Sequence, residues 1–506
     1  MITIVDCGSQ LTQNIARRVR ELGVYATIVP YHTSVEDIQK ERPEGIILSG
    51  GPFSVYDEGA PLYSKEILKM GLPTLGICYG LQSMSYLLGG KVESTSHREY
   101  GETYVHIKHD NPLFHGIPFD DLRVWMSHGD IVEEAPEGFK VLARTQSNHI
   151  AAIHRANLFA VQFHPEVDHT QHGRKLLDNF LNICNAQRIW DPTKMVDELM
   201  RETQDRIAGK VGIGGMSGGI DSTALSVLLH RMAGDDFHPI FVDNGVLREN
   251  ELQQVQGYVD PFGMNVNYVD ACQRFLDKLE GVTDPDEKRI RIGHEFIAVF
   301  EEEARKIPNV TYLAQGTLYP DVIESVPVFG VSSQIKRHHN VGGLPERMEL
   351  EVVEPFRNLF KDEVRKIAEH QLGLPHDVVW RHPFPGPGLA VRILGEVTPH
   401  RLEILRKADT IFIEELKSRG LYDEIGQAFA VLCNVNSVGV MGDAGTYEGV
   451  IALRAVTTSD YMTADWYDFD GKVLRTIANR IINEVAGINR VVYDVSQKPP
   501  STIEWE

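Results

Sequence analysis

Cysteine is scarce in this chain: five residues among 506, an odd number, with no pair spaced C-x-x-C. That excludes a disulfide framework and a zinc ribbon, and it fits a reducing compartment. Long apolar runs are missing as well. None approaches the ~18 residues that a membrane-spanning helix needs. Positive charge is in short supply, with 50 Lys and Arg against 71 Asp and Glu for a net charge of −21. Coating nucleic acid needs a basic footprint, so that class is set aside, and any polyanionic ligand must meet local basic clusters. No internal repeat and no low-complexity tract interrupts the sequence. The opening "MITIVDCG" reads as a strand running into a turn, not as a charged n-region followed by an apolar core. The expectation is a soluble chain without a signal peptide, cytoplasmic and apart from membranes.

What is present is ordinary globular material, 42% hydrophobic and 24% charged, long enough for roughly three domains. Over 1–188 short β-rich runs alternate with helical stretches: Thr3–Val5, Tyr25–Val29, Gly45–Leu48, Thr74–Ile77 and Leu158–Phe163. A polar break, "NAQRIWDPTK", opens a second alternating region, 189–381, with strands at Val211–Ile213, Pro239–Val242, Asn265–Tyr268 and Tyr312–Ala314. Such alternation predicts parallel sheets with helical crossovers, an α/β class. "RHPFPGPGLAVR" marks the next boundary, because its closely spaced prolines cannot sit in a regular element. The remainder, 382–506, mixes a helix (Arg401–Arg419) with strands (Gly449–Ala455, Arg490–Val495) as a small α+β domain.

"LGICYG" ends an apolar strand with Cys78 between Gly76 and Gly80. Small neighbours let the chain turn sharply and lift a nucleophile onto the start of the next helix, where thiolate is favoured. Alone, Cys78 would read as a buried structural cysteine. Two other strand ends change that. "FAVQFHPE" carries His164 and Glu166 two residues apart, on one side of an extended segment, so Glu166 orients His164 and His164 activates Cys78. "ILSGGPFSV" ends in a Gly50-Gly51-Pro52 turn able to aim backbone N–H groups at an oxyanion. Together these residues resemble the class I glutamine amidotransferases. The resemblance implies that Cys78 attacks the glutamine side-chain amide and releases ammonia through a thioester. It also implies an oxyanion hole from the backbone of Gly51 and Tyr79, with Gln82, Ser127, His128 and Asp130 holding the substrate's amino-acid end.

"GGMSGGIDSTAL", 214–225, has the glycines of a phosphate-cradling turn but not the Lys-Ser/Thr ending of a P-loop. A loop that embraces departing pyrophosphate, rather than a γ-phosphoryl group in transit, needs N–H groups and hydroxyls more than a lysine. Ser217, Ser222 and Thr223 supply hydroxyls, Gly218, Gly219 and Ile220 supply backbone, and Asp221 is placed to hold magnesium. SGGxDS resembles the PP-loop ATP pyrophosphatases, which implies Mg²⁺-ATP as ligand and adenine near Val242 in "FVDNG". Gly316 offers backbone at a later strand end, and Asp321 is a candidate second metal ligand. Lys361, at a helix start, is a candidate for the missing lysine, against the plainer reading of a solvated side chain beside Asp362 and Glu363. "QIKRHHNVGGLP", 334–345, reads as a basic lid.

The ending "DVSQKPPSTIEWE" is stiffened by two prolines and carries Ile503 and Trp505, which ask for burial; a docked tail is expected. With "DPDEKR", "GTLYPDVIES", "HHNVGGLP", "RHPFPGPGLA", "SVGVMGD" and "RAVTTSDYMTADW", the whole chain closely resembles the glutamine-hydrolysing GMP synthase family. That resemblance implies adenylation of the C2 oxygen of xanthosine 5′-monophosphate (XMP), then displacement of AMP by ammonia. It implies an XMP site drawn from Arg289, Gln427, Lys498, Ile503 and Glu504, with Arg381 a candidate for the phosphate, and a third domain that pairs two chains as a homodimer. "KRIRIGHEF" departs from the family, which more often shows lysine after Arg289. An ammonia-dependent synthetase of another type would share the loop but lack the C-terminal block. A nucleotide sensor without activity would lose Cys78, His164 or Asp221.

Overall fold

The computed structural model describes residues 1–119, 121–325, 350–458, 461 and 463–506; the basic segment 334–345 lies outside the described residues. The described residues form two compact units, one of Met1–Asp191 with 323–325, the other of the rest from Pro192 onward.

The first unit is built on a nine-stranded sheet. Its strands are β1 (Ile2–Asp6), β2 (Ala26–Pro30), β3 (Gly45–Leu48), β4 (Thr74–Ile77), β5 (Lys91–Ile107), β6 (Leu122–Glu134), β7 (Lys140–Thr145), β8 (Ile150–Arg155) and β9 (Leu158–Val161), in the order β2-β1-β3-β4-β9-β8-β7-β5-β6. From β2 to β9 the pairing is parallel; beyond β9 every pair is antiparallel. β1, β3, β4 and β9 are buried along their whole length, as strands covered on both faces must be, which is why they read as continuous apolar runs. The sheet is therefore mixed: the antiparallel arm β5–β8 has no counterpart among the strands read from the sequence. β9 stops at Val161, short of the expected Phe163.

In the second unit, β10 (Val211–Gly215), β11 (Phe237–Asp243), β12 (Asn267–Asp270), β13 (Val310–Ala314) and β14 (Glu351–Val353) form a parallel sheet in the order β12-β11-β10-β13-β14. The order reverses at β10, so the crevice beyond the carboxyl ends of β10 and β13 is a switch point, the usual ligand site of such sheets. A second sheet joins β15 (Gln427–Met441) antiparallel to β16 (Ala444–Thr457), with β17 (Asp465–Trp466) and β18 (Ile488–Tyr493) also on β16. The helix Pro399–Ser418, capped by the Thr398 side chain and opened by Pro399, covers it. One apolar core runs from Ile213 and Ile240 through Leu389 to Phe412 and Ile451. The proline-rich stretch is thus packed inside: Leu389, Ala390, Val391 and Arg392 are all fully buried, and the Leu389 N–H bonds the Val246 carbonyl.

Candidate functional site

In the first unit β3, β4 and β9 are adjacent and parallel, so their carboxyl ends deliver Gly50-Gly51, Cys78 and His164 to one place. Cys78 leaves β4 at φ 52°, ψ −107°, a left-handed turn, and the helix Tyr79–Leu87 begins on the next residue. The flanking glycines are dictated by close backbone approach. A Cβ on Gly76 would meet the Gly80 carbonyl oxygen at 2.6 Å, and one on Gly80 would meet the Leu48 oxygen at 2.4 Å. His164 Nδ1 lies 2.7 Å from Glu166 Oε1 in a buried contact. The two do not sit on the strand, as expected, but on the turn beyond it; Pro165 has no N–H to give a ladder, which fits the early end of β9. Burial by itself would depress the His164 imidazole, but the charges of Glu166 and Cys78 facing it outweigh that and raise its pKa well above the usual value. A proton taken from the thiol therefore has a receptive, held base. A Cβ on Gly50 would stand 3.1 Å from the His164 ring and 3.6 Å from the Cys78 Cβ, so the glycine turn faces the same reaction space.

Around the thiol, Cys78 Sγ is 3.6 Å from the Ser127 carbonyl, and Gln162 Nε2 points at the sulfur from 3.7 Å. Gln82 Nε2 donates to the Asp130 carbonyl at 2.8 Å. Asp130 Oδ2 is buried without a hydrogen-bond partner among the described residues, a carboxylate oxygen open to a cationic group such as a substrate ammonium. His128 Nε2 stands 3.3 Å from Glu99, and its Nδ1 3.1 Å from the Asp130 carbonyl.

In the second unit β10 ends in the glycine turn and the helix Ile220–Ala233 starts directly after Gly219. Ser217 and Ser222 brace the turn: the Ser217 N–H donates to Ser222 Oγ at 3.1 Å, and Ser222 Oγ donates to the Gly219 carbonyl at 3.2 Å. Thr223 and Ile220 are buried beneath it. Lys361, first residue of the helix Lys361–His370, reaches Asp221 Oδ2 at 3.0 Å. The lysine that the loop lacks locally is brought to it from 140 residues away. Among the described residues Asp221 Oδ1 is buried with no hydrogen-bond partner, an anionic oxygen at the start of the helix that follows the glycine turn, which fits a magnesium ion carried by ATP phosphates. Among the described residues no three His, Cys, Asp or Glu side chains gather to hold a metal without such phosphates. Asp321 accepts the Leu318 N–H at 2.9 Å. Gly316 flanks the loop, its would-be Cβ 3.8 Å from the Asp221 carbonyl carbon, and Val242 is buried near the end of β11.

The tail is docked. Lys498 pairs with Ala464 through both backbone groups, and its Nζ donates to the Tyr461 carbonyl at 2.7 Å. Ile503 is buried against Phe429, Val431 and Val456. Gln427 Nε2 donates to Glu504 Oε1 at 2.8 Å, so these two expected neighbours do meet. Arg289 reaches the Glu506 backbone oxygen and Lys288 its carboxylate. Arg381 is bound to buried Glu251 of the helix Glu251–Val259, whose Tyr258 hydroxyl donates to the Gly218 carbonyl at 2.9 Å; its contact is with a helix that packs on the glycine turn. Trp505 stays partly exposed, its Nε1 donating to Asp494 at 2.9 Å.

Residues 3–184 match the class-I glutamine amidotransferase family, and residues 414–505 match the GMP synthase C-terminal domain. The chain is 53% identical over 509 residues to the GMP synthase [glutamine-hydrolyzing] of Brachyspira hyodysenteriae, covering 100% of this chain and 99% of that protein. The relative from Aquifex aeolicus is 54% identical over 512 residues at the same coverage. The chain belongs to the glutamine-hydrolysing GMP synthase family. A relative of the same name from Yarrowia lipolytica is 51% identical over 518 residues, 100% of this chain and 98% of that protein.

Sequence reasoning passed over several buried polar side chains near these candidate residues. Gln162 stands inside "FAVQFHPE", between apolar residues, where a lone amide in a buried strand end is itself a signal. Arg392 and Arg454 are the same case, single arginines within "GLAVRIL" and "IALRAV", and both are fully buried. A charge fixed in an apolar run is costly unless paired, and both pair with the tail: Arg392 with Glu504, and Arg454 with Asp494 and the Ser496 carbonyl.

Proposed function

We propose that the chain makes GMP from XMP, with glutamine as nitrogen donor and ATP as activator. Glutamine is hydrolysed at Cys78: the thiol proton passes to His164, sulfur adds to the carboxamide carbon, and ammonia leaves. Water then frees glutamate from the thioester. In the second unit the C2 oxygen of XMP attacks the α-phosphorus of ATP and pyrophosphate departs into the Ser217–Thr223 loop. Magnesium, when bound with ATP, neutralises phosphate charge there, with Asp221 as its protein ligand. Ammonia adds at C2, AMP leaves with the oxygen, and a proton is released. A xanthine carbonyl oxygen is a poor leaving group until it is esterified, which is why two centres are needed. Arg289, Gln427, Lys498, Ile503 and Glu504 form the XMP site in this reading. A second copy of the chain as partner is supported by the exposed Val435, Val438, Val440 and Tyr447 on the β15–β16 ribbon. The cytoplasm is the expected compartment.

The observation that carries the reading is the presence in one chain of a buried Cys78–His164–Glu166 centre and a lysine-braced SGGIDS loop. Incubation with XMP, Mg-ATP and glutamine, with the nucleotides resolved, should give GMP and AMP in equal amounts together with pyrophosphate. ADP and orthophosphate as primary products would contradict it.

A further inference from the structure

Arg392 has no exposed surface, and a guanidinium is costly to bury unless its charge and donors are used. Two aromatic rings lie beside it, the Phe429 ring centre at 4.1 Å and that of Phe384 at 5.3 Å from the guanidinium carbon. Its Nε and Nη2 donate to the two oxygens of Glu504 at 3.0 and 2.8 Å, a parallel fork. Gln427 Nε2 gives Glu504 Oε1 a third bond, at 2.8 Å. A carboxylate offers about four acceptor positions. Among the described residues Oε1 has both of its positions taken, and Oε2 keeps one open.

We propose that Arg392 is a positioning residue that fixes Glu504, leaving a single acceptor position on Oε2 to receive one ring N–H of an oxopurine nucleotide. This rests on Glu504 belonging to the XMP site. The fork sets both the direction and the number of bonds Glu504 makes. A base carrying an unprotonated ring nitrogen at the contacted edge would turn a lone pair toward the carboxylate and be rejected. Phe429 and Phe384 serve as a wall that keeps the guanidinium plane from rotating.

The test uses the full-length chain and steady-state kinetics with ammonium as nitrogen donor. Arg392→Lys keeps the charge and loses the fork. The KM for XMP should rise roughly ten- to hundredfold, the range expected for a charged hydrogen bond, with kcat and the KM for ATP little changed. Glu504→Gln should raise the KM for XMP similarly, and adding Arg392→Lys to it should do no further harm. Phe429→Leu keeps apolar bulk without the ring and should give a smaller rise in the same direction. Additive losses in the double variant, or equal losses in kcat and in the KM for ATP, would overturn the positioning role. An unchanged KM for XMP in Glu504→Gln would remove the reading of Glu504 itself. If Arg392→Lys does not fold, Phe429→Leu decides, and an unaltered KM for XMP there overturns the proposal.

Discussion

At His164 two opposing effects meet. Burial disfavours the imidazolium; Glu166 and Cys78 favour it, and they prevail. The sign of the consequence follows. A folded-state pKa above the unfolded value, near 6.5, adds stability that is complete below about pH 6.5 and fades as pH rises through the folded pKa. Replacing Glu166 by Gln removes the charge but keeps the shape. The alkaline limb of glutaminase activity should move to lower pH, and stability at mildly acid pH should fall; an unmoved limb would show that Glu166 does not set the imidazole. Asp221 offers a parallel case in the second unit. Its Oδ2 is spent on Lys361, and among the described residues its Oδ1 has no partner, so Asp221→Asn should cut AMP and pyrophosphate formation by roughly a hundredfold or more, if one charged contact of ~3 kcal/mol is lost. The free magnesium needed for half-maximal rate should rise.

At the scale of elements, the parallel strands were legible because burial on both faces writes continuous apolar runs, and the motif glycines and Cys78 stood at their ends. β5 and β6 were not legible. Lys91–Ile107 is mostly polar, and outside 95–98 exposed or half-buried residues stand between sparse buried ones such as Val92 and Val105, so no run announces it. The tip of the β15–β16 ribbon is similar, half exposed on both faces. Lys361 was legible as a candidate only: its place on Asp221 depends on a crossover of more than a hundred residues, which no local pattern encodes. The glycine turn after β10 makes a direct prediction at this scale. Gly218 sits at φ +77°, and a Cβ there would press within 2.7 Å of Val255. Gly218→Ala should cost ~1–2 kcal/mol in backbone strain alone, lowering the melting temperature of the second unit by a few degrees. It should suppress AMP formation strongly while glutaminase activity is kept. A variant with normal AMP formation would mean that the loop does not hold pyrophosphate.

Over the whole molecule, the two compact units hold two separate chemistries. The last residues belong to the second: Lys288, Arg392 and Arg454, all without exposed surface, bind Glu506, Glu504 and the Ser496 carbonyl. Deleting 497–506 leaves Lys288 and Arg392 buried without those partners, which is strongly destabilising. GMP formation from any nitrogen source should be lost and the melting temperature of the second unit lowered, with glutaminase activity retained; a truncated chain that still made GMP would make the tail a packing element only. The central claim, that nitrogen is freed at one centre and used at another, is tested most directly with Cys78→Ala. In the best-studied catalytic triad, loss of the nucleophile costs on the order of 10⁶ in rate. With XMP and Mg-ATP the variant should make no GMP from glutamine, yet make it from high ammonium at alkaline pH as the unaltered chain does. A folded Cys78→Ala chain that fails with both nitrogen sources, or works with both, would contradict the account.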